Sequence, residues 1–109
     1  MIPKKIRITQ AVNNLISDIG TKKFPVEMII MFGSITRDDH NAYSDLDLCF
    51  VHEKELTPRQ QREIESYFFD MLEDEVDLDF IYCSNKTLMT GGQVFEEIRK
   101  EGRVLYEHV

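Results

Sequence analysis

Two carboxylates at the start of an apolar segment constrain this chain more than any other feature. The segment SDLDLCFV, residues 44–51, begins polar and continues apolar, which is typical of a strand that enters a core. Because side chains alternate along a strand, Asp45 and Asp47 share one face. Adjacent carboxylates repel each other and are costly to bury, so packing alone does not explain them. Carboxylate oxygens at this spacing suit Mg²⁺, and the segment therefore predicts a metal site.

A glycine–serine turn lies ten residues before this carboxylate pair. Residues 26–32 are apolar apart from Glu27 and predict a strand covered on both faces. Gly33 ends that strand and would let a phosphate approach the backbone, while the Ser34 hydroxyl could donate to a phosphate oxygen. One helical turn further on, Arg37 could reach a phosphate or pair with a nearby aspartate. Gly-Ser alone is a common strand-to-helix turn, but together with the carboxylate pair it predicts a triphosphate site.

The pattern Gly33-Ser34, ten residues, Asp45-Leu46-Asp47 resembles the signature of the polymerase-β-like nucleotidyltransferase superfamily, in particular its minimal nucleotidyltransferases. The resemblance extends over nearly the whole chain. It implies an α/β (α+β) fold with a small mixed sheet of three to four strands flanked by helices. At 109 residues there is room for one core, and we expect residues 1–109 to form a single nucleotidyltransferase domain.

The resemblance also implies a third catalytic carboxylate on the next acidic strand, VDLDFIY, residues 76–82. Matching the valine–aspartate–leucine pattern favours Asp77, whereas the alternative register selects Asp79. The implied catalytic residues are thus Asp45, Asp47 and one of these two. The first two and Asp77 would be the metal ligands for two Mg²⁺ ions. The candidate residues for binding the nucleotide phosphates are Gly33, Ser34, Arg37 and Ser44.

The activity implied by the resemblance is transfer of a nucleoside monophosphate, AMP from ATP, to a hydroxyl acceptor. Larger relatives append a domain for the acceptor, and none follows here, so we expect a second chain to supply the acceptor site. In minimal nucleotidyltransferases this partner is often a small helical HEPN protein. The implied role is an antitoxin that adenylylates a HEPN toxin. No residue in the sequence distinguishes ATP from other triphosphates.

Two alternatives to this role stay open at the level of sequence. A small molecule such as an aminoglycoside could be the acceptor, with a homodimer completing the pocket. A binding module could instead neutralise its partner without catalysis. The acidic positions of the pattern are all filled, which favours an active site over an idle one.

Charge and hydropathy limit the remaining partner classes. The formal net charge of −7 argues against direct nucleic-acid binding, which requires clustered cations. No apolar run approaches the roughly 20 residues of a membrane span. The two lysines near the N-terminus are not followed by an apolar segment, so we expect no signal peptide and a cytoplasmic location.

Residue patterns outside the acidic strands predict the supporting elements. Apolar residues at helical spacing predict a helix over residues 4–19, ended by Gly20. A capping box formed by Thr57, Pro58 and Gln60 predicts the start of a second helix. This helix lies between the two acidic strands and could serve as the crossover connection that parallel neighbouring strands require. The other expected segments are a loop over 85–92, a helix over 93–100 and a short edge strand over 104–106.

The two cysteines fall within the predicted acidic strands. Because no export signal is present, we expect Cys49 and Cys83 to be buried, reduced thiols rather than a disulfide or metal pair. Each follows an aspartate pair in register, so the two sulfur atoms could be neighbours.

Overall fold

The computed structural model describes residues 4–33, 45–72 and 77–108. Four strands form one mixed sheet in the order β3-β2-β1-β4, and helices cover both of its faces, which confirms the predicted fold class. The elements along the chain are α1 (Lys4–Ile19), β1 (Val26–Phe32), β2 (Asp45–His52), α2 (Pro58–Leu72), β3 (Asp77–Ser84), α3 (Asn85–Thr90), α4 (Val94–Glu101) and β4 (Arg103–Glu107).

The connection through α2 determines how the acidic strands pair. Parallel neighbours require a crossover between them, and α2 supplies it, so β2 and β3 pair in parallel as predicted. Strand β1 is antiparallel to both β2 and β4. The predicted edge strand is therefore present as β4, and β3 forms the opposite edge of the described sheet.

The main core lies between the sheet and the pair α1 and α2. It receives alternate residues of the strands, such as Leu46, Leu48 and Phe50, none of which is exposed. Phe50 lies at its centre, with ring centroids 6.1 Å from Phe68 and 5.5 Å from Tyr82. The apolar stripe that predicted α1 is buried against this core. Ile8, Val12, Leu15 and Ile19 of this stripe are buried, and Ile16 is half-buried against the same core.

A second, smaller core lies on the opposite face, under α3 and α4. It contains Cys49 and Cys83, which are buried and free, as predicted. Their sulfur atoms are 3.6 Å apart. The contact is diagonal, because Cys83 pairs in register with Val51 rather than with Cys49. The hydrogen bond between Cys49 and Cys83, together with burial, raises the pKa of the Cys49 thiol. This thiol therefore stays protonated at neutral pH.

The beginnings of two helices show where local sequence decides structure. At α2 the capping box is confirmed, since the Thr57 N–H donates to Gln60 Oε1 at 2.9 Å and the Gln60 N–H donates to Thr57 Oγ1 at 3.1 Å. The expected loop over 85–92 is wrong in part, because residues 85–90 form α3. Ser84 caps this helix, its Oγ accepting from the Thr87 N–H at 3.2 Å.

None of the helices in the described ranges has the length and apolar character needed to cross a bilayer.

Replacing Phe50 by alanine tests the role of the main core. We expect the free energy of unfolding to fall by about 3–5 kcal/mol, because the removal of a large buried ring leaves a cavity that the surrounding side chains cannot close. Phe69, which is 49% exposed, is the matched control, and Phe69→Ala should cost much less. Equilibrium urea unfolding of both variants measures the difference. Equal losses would contradict this assignment of the core.

Candidate active site

The candidate site is formed where β2 and β3 begin side by side. The register pairs Asp45 with Asp77 and Asp47 with Asp79. Register partners on parallel strands project to the same face, and neighbouring strands lie about 4.8 Å apart. Since the intervening leucines of β2 enter the main core, these four aspartate positions share the opposite face. The fold thus brings the backbone positions of both predicted aspartate pairs together, and we call these four positions the carboxylate block.

This block lies at the accessible end of its face. Asp77 and Asp79 are exposed, and Asp47 is half-buried. Further along the same strands, Cys49 and Cys83 are covered by α3 and α4. The two helices therefore leave the acidic end of the face accessible to a ligand.

Gly33 contacts the carboxylate block from the other side. In the antiparallel ladder Phe32 pairs with Asp47, so the following residue lies beside the Asp47 side chain. A Cβ on Gly33 would overlap Oδ2 of Asp47 and lie 3.1 Å from its Cγ. The φ angle of Gly33 is 92°, which residues with a side chain rarely adopt. Only glycine fits this position while Asp47 keeps its place.

The sequence pattern predicts a phosphate contact for Gly33 and gives no sign of a second role. In the structure Gly33 is also the residue that leaves room for the Asp47 carboxylate. The contact depends on the register between β1 and β2. Nothing in the local sequence specifies that register, so only the assembled sheet reveals the contact.

Several predicted site residues lie outside the described part of the chain. They are Ser34, Arg37 and Ser44. Asp45 is described by its backbone position and register alone. The proposed phosphate contacts of the first three residues remain predictions.

The donor chemistry of the block fits a hard divalent cation. Its residues are aspartates, whose carboxylate oxygens Mg²⁺ prefers, and the exposure of Asp77 and Asp79 leaves room for water and substrate phosphates. Among the side chains that the structure describes, no three histidine, cysteine, aspartate or glutamate residues form a ready-made metal cluster. Asp45 is not among those side chains, so the set that includes it is the one to test.

A family model described as polymerase beta, nucleotidyltransferase matches residues 14–108. The matched range includes Gly33 and both acidic strands. The chain therefore belongs to the polymerase beta nucleotidyltransferase family, and the resemblance seen in the sequence is confirmed.

One relative found by sequence is a protein of Methanocaldococcus jannaschii that is named as a protein adenylyltransferase. It is 33% identical over 57 residues, which are 52% of this chain and 58% of that protein. The match thus spans little more than half the length of this relative.

Solved structures share the fold at low sequence identity. A chain of the complex between the tri-AMPylated Shewanella oneidensis HEPN toxin and its MNT antitoxin is 19% identical with a TM-score of 0.53, covering 91% of this chain and 72% of that one. A chain of a toxin–antitoxin structure with AMP-PNP is 20% identical with a TM-score of 0.58, and the match covers 87% of this chain and 72% of that one. A Sulfolobus solfataricus protein described as a nucleotidyltransferase is 21% identical with a TM-score of 0.55, and the match covers 94% of this chain and 82% of that one. These matches confirm the architecture.

Replacing Gly33 by alanine tests the contact with Asp47. We expect the free energy of unfolding to fall by about 1–3 kcal/mol, because the new side chain is strained by its φ angle and collides with the carboxylate. Gly20 is the matched control, since a Cβ there has no neighbour within 4 Å. Thermal and urea unfolding measure both variants.

A double variant separates the two causes of that loss. Adding Asp47→Ala to Gly33→Ala removes the collision partner, so the two changes should cost less together than their sum. Strict additivity would show that the carboxylate does not depend on Gly33.

Proposed function

We propose that this protein transfers AMP from ATP to a hydroxyl group of a partner protein, in a reaction that depends on Mg²⁺. The observation that carries the proposal is the in-register pairing of Asp45 and Asp47 with Asp77 and Asp79, with Gly33 against the block. An accessible group of carboxylates beside a glycine turn suits the metal-bound triphosphate of a nucleotide.

The relatives support both the nucleotide and the kind of acceptor. One is named as a protein adenylyltransferase, one structure contains AMP-PNP, and one contains an AMPylated HEPN toxin with its antitoxin. We propose by extension that the acceptor is a HEPN-type toxin and that this chain is its antitoxin. We also propose that residues 1–109 act as one domain, because the first and last described strands belong to one sheet.

Three residues would hold the cations. Asp45 and Asp47 lie on one strand and would hold the Mg²⁺ ions together with Asp77 of the neighbouring strand. When bound, such ions neutralise the triphosphate and lower the pKa of the attacking hydroxyl.

The protein's own residues would position the nucleotide and accept the proton of the attacking hydroxyl. Because Gly33 has no side chain, the Asp47 carboxylate can lie directly beside the glycine turn, where it would help to position a nucleotide. Asp77 is exposed at the first position of β3, so its carboxylate can take the proton of an incoming hydroxyl. Ser34 and the backbone at Gly33 would hold the phosphates that leave as pyrophosphate.

Removing the paired carboxylates tests the activity. In Asp45→Asn/Asp47→Asn, transfer of label from α-labelled ATP should fall roughly 100-fold or more, because the charge that holds the nucleotide complex is lost. Exposed Glu55 on the loop after β2 is the matched control, and Glu55→Gln should transfer normally. The assay uses purified protein, Mg²⁺ and lysate of the source cells, with labelled protein identified by mass.

Two results would contradict the proposal. Unchanged labelling with the double variant would mean that another protein transfers the label. No label on protein with any of the four triphosphates would exclude a protein acceptor, and a small-molecule acceptor or binding without catalysis would replace it.

Single substitutions distinguish the two carboxylates of β3. Asp77 pairs with Asp45 at the first position of the two strands, whereas Asp79 pairs with Asp47 two residues further along. We therefore expect Asp77→Asn to abolish transfer and Asp79→Asn to lower it about tenfold, as for a residue that supports the ligands. Initial rates at several Mg²⁺ concentrations measure both. The opposite ranking would make Asp79 the third ligand.

A further inference from the structure

The outer edge of β3 combines three features next to the candidate site. Among the described strands β3 pairs only with β2, so its other side is a sheet edge. Phe80 lies half-buried on one face of this strand, in contact with Phe69 of α2, their ring centroids 5.7 Å apart. Asp77 and Asp79 are exposed on the other face. We call this strip, formed by the backbone of β3 with Phe69, Phe80, Asp77 and Asp79, the β3 edge.

We propose that the β3 edge binds the acceptor, as an extended segment of the partner protein that adds a strand to the sheet. This inference rests on the proposed function, because it names how the acceptor reaches that site. The segment would carry a hydroxyl side chain between cationic side chains on one face and apolar side chains on the other.

The alternation of side chains carries the argument. A strand added beside β3 would project alternate side chains to the two faces of the sheet. Those on one face would contact Phe69 and Phe80, and those on the other would lie next to Asp77 and Asp79. A hydroxyl residue on the acidic face would thereby be delivered to the carboxylate block without any further domain.

Exposure and charge define the chemistry of this segment. Phe69 is 49% exposed although it contacts Phe80, so an apolar side chain bound there would remove apolar surface from water. Asp77 and Asp79 are exposed carboxylates on the opposite face of the strand. Cationic side chains in the segment would be attracted to these two carboxylates. The net charge of −7 on this chain likewise favours a positively charged partner.

Two capped peptides of equal composition test this binding mode. In Val-Lys-Val-Tyr-Val-Lys-Val the tyrosine shares a face with both lysines, whereas in Val-Val-Lys-Tyr-Lys-Val-Val it shares a face with valines. With Mg²⁺ and α-labelled ATP, we expect AMP to be joined to the tyrosine oxygen of the first peptide, with loss of pyrophosphate and of the hydroxyl proton, at least about tenfold faster than for the second. Equal rates for the two peptides would overturn the proposal.

Backbone methylation tests strand pairing directly. In a strand, alternate N–H groups point to the same neighbour, so N-methyl groups at one set of alternate positions should block labelling of the first peptide and those at the other set should not. If both sets are tolerated, the segment does not pair with β3.

Matched surface variants keep the test independent of the peptides. Ile6 of α1 and Phe69 are both 49% exposed, so Ile6→Ser controls for loss of exposed apolar surface. Phe69→Ser should raise the KM for the labelled cellular acceptor about tenfold and leave ATP binding unchanged, and Ile6→Ser should alter neither. An unchanged KM in Phe69→Ser would place the acceptor elsewhere, against another face or a second copy of this chain. Wild-type labelling that is absent, or that persists in Asp45→Asn/Asp47→Asn, would instead count against the proposed function.

Discussion

The in-register parallel pairing of β2 and β3 is the constraint on which the rest of the structure depends. It places aspartates side by side on neighbouring strands, where their charges repel. The arrangement is tolerable because Asp77 and Asp79 face solvent, and the proposed bound cation would make it favourable. The crossover helix α2 is what permits a parallel pair in so short a chain. The helix therefore determines the geometry of the carboxylates as well as covering the core.

Much of this fold could be predicted because the signals are local. The alternation of residues 45–51 assigned Leu46 and Leu48 to one face and the aspartates to the other, as the structure has them. The capping box at Thr57 located the start of α2. Helix α3 is not among the predicted elements although its signal is also local, since Ser84 is a good capping residue directly before residues 85–90.

The remaining features depend on contacts between distant segments. The pairing of β4 with β1 follows from tertiary packing, and the sequence of residues 104–106 predicts only an edge strand. The close approach of Gly33 to Asp47 likewise needs the register of the sheet. Both aspartates of β3 are register partners of aspartates on β2. The backbone therefore gives the same two candidates for the third carboxylate, Asp77 and Asp79, as the sequence does.

The diagonal contact between Cys49 and Cys83 limits what oxidation can do to this sheet. An offset of two residues along strands about 4.8 Å apart puts their Cα atoms about 8 Å from each other, beyond the roughly 7 Å that a disulfide can span. Closing a bond would require the two strands to slide, and sliding would disturb the aspartate register on the same face. The sulfur contact thus contributes packing without offering a cross-link. A disulfide between these two thiols is therefore disfavoured while the strands keep the register that pairs the aspartates.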